Sequence, residues 1–177
     1  MVENTAVEEL RDRAPGGVPQ FARHHETGEP IPADLVLRLR RASEFGKGTY
    51  VRQQMFYAIL SLSLYSRDPE GLDTLDLVRK LQNEYSSFQY VDGTHFHLSF
   101  GHLDGYSAIY YTYMWSLVIA KDLFSRFQAD LFDPEVARRY RDGILATGGS
   151  APAARLVQDF LGRPYAFEAY EAWLNAH

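Results

Sequence analysis

The sequence predicts an all-α protein, a multi-helix bundle, and two observations carry that prediction. Apolar residues recur three or four positions apart along several stretches, most clearly at residues 49–66 and 72–85, which is the period of a helix with one buried face. No pair of neighbouring stretches shows the alternation of apolar and polar residues that is typical of paired strands. We therefore expect helices throughout.

The first three predicted helices are bounded by turn residues. Asp34 is expected to cap the first helix, which ends near Glu44 before two glycines. The second and third helices cover residues 49–66 and 72–85. Residues 86–99 contain the turn-forming pair Asp92 and Gly93, and their apolar residues show no regular spacing, so we expect a loop there.

The second half of the sequence predicts four more helices. Asp133 followed by Pro134 is a typical helix start, because aspartate caps well and proline fits the first turn. Ser150 is a second expected cap. The predicted helices cover residues 106–129, the longest, then 133–145, 150–161 and 167–174.

The chain of 177 residues is long enough for one ordinary domain. Pro15, Gly16 and Gly17 break any helix that the polar first residues could form. We therefore predict an N-terminal extension and linker at residues 1–20 and a single helical domain at residues 21–177.

Composition excludes several classes of protein. The net charge is −5, and the densest basic runs lie on predicted helices, so no nucleic-acid partner is expected. Without any cysteine, disulfides and thiolate metal sites are excluded. No apolar stretch approaches the roughly 20 residues of a membrane span, and the acidic first residues do not resemble a signal peptide. We expect no membrane partner and a cytoplasmic location.

The aromatic residues concentrate in one run, from Phe100 to Trp115. If a helix begins near Tyr106, then Tyr106, Tyr110 and Tyr113 share one face of it. Each phenol is an uncharged donor that could hold a substrate carbonyl or an oxyanion. A stripe of tyrosines is also typical of core packing, and the spacing alone does not decide between these interpretations.

The histidines do not form a recognisable metal motif. His25 precedes Glu26, but the second histidine of an H-E-x-x-H zinc motif would fall at position 29, which is Glu29. His95, His97 and His102 could share a metal, yet none of them has helical ligand spacing. We expect these three to line a loop or cleft, and no metal site in this chain.

The aromatic run resembles the signature loop and helix of the thimet oligopeptidase, oligopeptidase A and peptidyl-dipeptidase family of zinc peptidases. The matching residues read F-G-H-L-x-G-Y-x-x-x-Y-Y-x-Y-x-W from Phe100 to Trp115. Further stretches resemble family segments in the same order, at residues 21–32, 51–53, 133–136, 148–150 and 160–163. The resemblance covers the chain from about Pro19 onward.

The resemblance implies the C-terminal part of an all-helical oligopeptidase catalytic domain. In that family, zinc is held by a helix bearing H-E-x-x-H, which this sequence lacks. Tyr113 resembles a tyrosine that stabilises the oxyanion, and the residues that resemble substrate contacts are His102, Gly105, Tyr106 and Tyr110. Several members carry two glycines before the first tyrosine, whereas this chain has only Gly105.

The resemblance therefore implies the substrate-binding portion of a zinc-dependent oligopeptidase that hydrolyses short peptides. Alone, it would be inactive and hold no cofactor, with zinc belonging to the full-length family. Its expected partners are short peptides and either a chain carrying the H-E-x-x-H half or further copies of itself. The alternative is a free-standing helical module that binds peptides or oligomerises without catalysis.

Overall fold

The computed structural model describes residues 22–176, and the predicted extension and linker at residues 1–20 lies outside them. Within the described residues the chain forms α-helices and no β-sheet, which confirms the all-α prediction. One isolated backbone bridge joins Arg23 and Pro30 ahead of the first helix. None of the helices between residues 22 and 176 combines the length and the apolar character that crossing a membrane needs.

Eight α-helices follow one another along the described residues. The α-helices are α1 (Ala33–Glu44), α2 (Lys47–Tyr65), α3 (Thr74–Tyr85), α4 (His102–Tyr106), α5 (Thr112–Phe124), α6 (Pro134–Tyr140), α7 (Ala153–Leu161) and α8 (Glu168–Asn175). Short 3-10 segments lie at Phe96–Ser99, Ile109–Tyr111 and Ser125–Phe127, and a π-helical turn, Arg141–Leu145, continues α6.

The described residues divide into two compact units, and each has its own core. The first unit comprises residues 46–115. In it, α2 packs against α3 through five buried side chains, Phe56, Leu60, Leu77, Val78 and Leu81. The second unit comprises residues 22–45 and 116–176. Its largest buried cluster is Leu123, Phe124, Phe127, Tyr140, Val157, Phe160 and Leu161.

The second unit also buries a carboxylate that is paired with a partly exposed arginine. Asp122 is 2% exposed, and Arg163 donates to its two carboxylate oxygens at 2.7 and 2.5 Å. The backbone N–H of Ala166 donates to the same carboxylate at 2.7 Å. Burial by itself would raise the pKa of Asp122, but these hydrogen bonds outweigh it and lower the pKa. These contacts hold the residues that follow α7 against α5.

The predicted caps have different outcomes. Asp133 does cap α6, because its side chain accepts from the N–H groups of Glu135 and Val136. The predictions for Asp34 and Ser150 are wrong. Prolines precede α1 and α7, at Pro32 and Pro152, and their fixed φ suits the entry to a helix.

The predicted single helix over residues 106–129 is wrong, and α2 is the longest helix among the described residues. The chain instead forms α4, a 3-10 segment and then α5, because Ser107 has φ 50° and ψ −123°. A positive φ cannot be part of a right-handed helix. Tyr106, Tyr110 and Tyr113 therefore do not share one continuous helix face.

The domain boundaries predicted from the sequence stay predictions. The two units have separate cores, whereas the sequence predicts one domain over residues 21–177. Separate cores alone do not decide whether the units unfold together.

Candidate functional site

The predicted site residues lie in the first unit, where aromatic rings surround His102. The His102 imidazole is stacked on Tyr106 at 5.8 Å between ring centroids and meets Tyr110 edge-on at 5.2 Å. Tyr113 lies 6.0 Å from the same imidazole. The structure therefore brings the four predicted side chains together despite the break in the helix. We call these four residues the His102 cluster.

Hydrogen bonding links two members of the His102 cluster directly. The Nε2 of His102 lies 3.2 Å from the hydroxyl of Tyr113. The direction of this hydrogen bond follows the imidazole tautomer, since either partner can donate. This contact joins Tyr113 to His102 and favours the ring orientation of His102 in which it forms.

Tyr110 remains protonated over the whole ordinary pH range. Burial is the main cause, and the neighbouring Tyr113, Tyr57 and Tyr50 add to it, so the pKa of Tyr110 rises from 10.0 to about 12. A side-chain hydrogen bond with Gln54 acts in the opposite direction. Tyr110 thus offers an uncharged hydroxyl.

One face of α2 supports the cluster, and sequence reasoning missed it. Tyr57 contacts Tyr110 edge-on at 5.6 Å and Phe100 at 5.3 Å. Gln54, Tyr57, Ser61 and Tyr65 are three or four positions apart, so they share one face of the helix. The helical spacing of these hydrogen-bonding side chains was the signal that could have found this face.

Two hydrogen bonds from α2 hold the backbone around α4. Ser61, fully buried, donates its hydroxyl to the carbonyl of Ser107 at 2.5 Å. The hydroxyl of Tyr65 donates to the carbonyl of Leu103. The short helix that carries His102 and Tyr106 is therefore held at both ends by side chains about 40 positions earlier in the chain.

Gly105 lies within α4 and faces open space. A Cβ added there would meet no atom of the chain within 4 Å, and the same holds at Gly101. Neither residue has the positive φ that favours glycine. The fold itself therefore does not require glycine at either position, and the space beside Gly105 is free for another molecule.

The two other histidines of the first unit, His95 and His97, make contacts of their own. His97 places its Nε2 3.2 Å from the hydroxyl of Thr74. Burial, and then the proximity of His95, lower the pKa of His97. The rings of His95 and His97 are 6.4 Å apart.

The donor set near these histidines does not fit a metal ion. Among residues 22–176 there is no group of three or more histidines and carboxylates close enough to hold one. A zinc site needs at least three protein ligands. His95 and His97 by themselves therefore do not make up a zinc site.

The His102 cluster presents several hydrogen-bonding groups close together. Its hydroxyls and imidazole can donate or accept hydrogen bonds, and they lie beside aromatic rings and an open glycine. The fold and the site thus define an all-helical protein that brings one histidine and three tyrosines together.

Comparison with known proteins gives the family. The profile of Peptidase family M3 matches residues 15–176. Human mitochondrial intermediate peptidase is 34% identical over 145 residues, which cover 81% of this chain and 20% of that protein. Oligopeptidase A of Escherichia coli is 30% identical over 145 residues, 79% of this chain and 21% of that protein. The chain belongs to Peptidase family M3 and spans about a fifth of the length of these curated relatives.

Proposed function

We propose that this chain is the substrate-binding C-terminal portion of a zinc-dependent oligopeptidase-like metallopeptidase that hydrolyses short peptides. The observation that carries the proposal is the hydrogen-bonded pair of His102 and Tyr113 with Tyr106 and Tyr110 against the same imidazole. Family membership supports an oligopeptidase-like activity. A cytoplasmic location is part of the proposal, although one relative is named mitochondrial.

In this proposal the His102 cluster binds the peptide rather than cleaving it. His102, Tyr106 and Tyr110 donate or accept hydrogen bonds with peptide groups, and the open space at Gly105 admits the peptide backbone. The hydroxyl of Tyr113 donates to the oxyanion that forms on the scissile carbonyl. The family generally depends on zinc, which would supply the activated water. In this proposal, the zinc is held by residues that do not belong to this chain.

The first experiment measures peptide binding by the chain alone, with Gly105→Ala as the probe. Calorimetry with a short peptide should show binding to the wild type. The new methyl group meets no atom of the chain, so the fold should tolerate it, and helix propensity favours alanine. We expect weaker binding by about tenfold, because small misplacements of a bound substrate are costly.

The matched control is Gly149→Ala. An added Cβ there also meets no atom within 4 Å, and the residue lies outside the His102 cluster. It should bind as the wild type does. Absence of binding by the wild type, or equal affinity of Gly105→Ala, would contradict the proposed peptide contact.

The second experiment tests the catalytic part of the proposal. The chain is mixed with a polypeptide that carries the H-E-x-x-H portion of a family M3 relative, and cleavage of a quenched fluorescent peptide is followed with and without chelator. We expect chelator-sensitive cleavage, and Tyr113→Phe should lower kcat by about 100-fold through loss of an oxyanion donor. Tyr111→Phe, half-exposed outside the cluster, is the control. If no pairing cleaves the peptide, the chain is not one part of an enzyme that is assembled from two chains.

The alternative is a free-standing helical module that binds peptides or oligomerises without catalysis. Exposed apolar side chains on α2 favour it, since Met55 and Leu62 are seven positions apart on one face and are 44% and 46% exposed. Sedimentation measured at several protein concentrations shows whether the chain self-associates. A monomer throughout, together with reconstituted cleavage, would eliminate this alternative.

A further inference from the structure

A tight turn of an unusual kind lies between two members of the His102 cluster. Ser107 has φ 50° and ψ −123°, and Ala108 has φ −84° and ψ 2°. These angles define a type II′ turn, with residues 107 and 108 at its two central positions. The first central position of that turn strongly favours glycine, because other residues clash there. Ser107 is the one non-glycine residue with positive φ among residues 22–176.

The turn decides where both flanking tyrosines point. Tyr106 ends α4 immediately before the turn, and Tyr110 lies in the 3-10 segment immediately after it. Both rings contact His102, at 5.8 and 5.2 Å. If Ser107 relaxed to a negative φ, the backbone direction would change between the two tyrosines, and both could not keep that contact.

The hydroxyl of Ser61 holds the turn in place. Ser61 is fully buried on α2, and its hydroxyl donates to the carbonyl of Ser107 at 2.5 Å. A buried hydroxyl without a partner is costly, and Ser61 is fully buried, so this bond favours the backbone orientation in which the Ser107 carbonyl faces Ser61. A non-glycine residue with an unfavourable φ persists only where its surroundings hold it.

We propose that Ser61 is a positioning residue, whose hydroxyl keeps the Ser107 turn in its type II′ conformation and so keeps Tyr106 and Tyr110 on His102. The consequence for peptide affinity rests on the proposed function. The effect on the geometry of the cluster does not depend on it.

The test combines removal of the hydroxyl with repair of the turn. Ser61→Ala deletes the hydrogen bond, and we expect about a tenfold loss of peptide affinity through misplacement of the cluster. In the double variant Ser61→Ala/Ser107→Gly, glycine adopts the positive φ without strain. This variant should recover most of the affinity. Ser63→Ala is the matched control, because Ser63 is also buried on α2, at 9% exposure.

A second measurement reports on the geometry of the His102 cluster in the absence of peptide. The His102 ring protons in the NMR spectrum sense the stacked Tyr106 ring, so Ser61→Ala should shift them, and the double variant should return them toward the wild-type position. Ser63→Ala should leave them unchanged. If the wild type binds no peptide, the proposed function fails, while these signals still test Ser61.

Two results would overturn the role of Ser61. One is a Ser61→Ala variant with wild-type His102 signals. The other is a double variant that stays as impaired as Ser61→Ala, since loss of packing at Ser61 would not be repaired by a glycine 46 residues away.

Discussion

Tyr110 shows how the surroundings of one side chain set its chemistry. Burial and three neighbouring tyrosines raise its pKa from 10.0 to about 12, because a phenolate would lack water and face other electron-rich hydroxyls. Its neutral hydroxyl suits a hydrogen-bonding role near peptide carbonyls. The same rise in the pKa of Tyr110 makes the free energy of unfolding depend on pH.

We predict that stability falls at high pH and that Tyr110 contributes to the fall. Because the folded pKa of Tyr110 is higher than the unfolded value, its contribution is fully present below pH 10 and is lost as the pH rises from 10 to 12. Urea unfolding measured between pH 9 and 11 should show a shallower decline for Tyr110→Phe than for the wild type. Tyr111→Phe serves as the control. Parallel declines for Tyr110→Phe and the wild type would contradict the assignment.

A second residue-scale prediction concerns the buried carboxylate of Asp122 and its partner Arg163. Arg163→Ala leaves a carboxylate at 2% exposure without its guanidinium. We expect a loss of about 3 kcal/mol in the free energy of unfolding, at the low end of the range for a broken buried pair. The low end applies because the Arg163 side chain is 43% exposed and water can enter in its place.

The control for this pair is Arg155→Ala. Arg155 lies 3.7 Å from Asp159, and both side chains are mostly exposed, so its loss should cost less than about 1 kcal/mol. Urea unfolding at neutral pH measures both variants. If both variants lose the same free energy of unfolding, the burial of Asp122 does not make its ion pair more stabilising than the exposed one.

At the scale of helices, physical reasons explain which predictions succeeded. The periods at residues 49–66 and 72–85 correspond to α2 and α3, because both helices bury apolar faces in one core. The break at Ser107 could not be predicted, since serine gives no signal of a positive φ. The bond that holds it comes from Ser61, 46 residues earlier. The membership of the His102 cluster was predicted from the family resemblance, while its support by α2 was not.

Helix caps give a prediction at this scale, because the sequence favoured both Asp133 and Ser150. Asp133 accepts hydrogen bonds from two backbone N–H groups, at 2.8 and 3.4 Å, so Asp133→Ala should cost about 1 kcal/mol. Ser150 lies before Pro152, outside α7, so Ser150→Ala should cost only a few tenths of a kcal/mol. Thermal unfolding of both variants checks the contrast, and a larger loss for Ser150→Ala would contradict it.

At the scale of the whole molecule, the two cores raise the question of cooperativity. The first core lies between α2 and α3, and the second gathers side chains from α5, α6 and α7. No residue belongs to both of the described clusters. The sequence predicts one domain, which would unfold in a single step, whereas separate cores allow each unit to open by itself.

Two matched core substitutions separate these possibilities. Phe56 is 1% exposed in the first core and Phe160 is 4% exposed in the second, so each change to alanine should cost about 3–5 kcal/mol. Because each side chain packs within its own unit, we expect Phe56→Ala to accelerate hydrogen exchange mainly in α3, and Phe160→Ala mainly in α6. Exchange resolved by peptide, with the wild type as reference, measures both effects. If either substitution accelerates exchange equally in both helices, the two cores unfold together and residues 21–177 behave as the single domain that the sequence predicts.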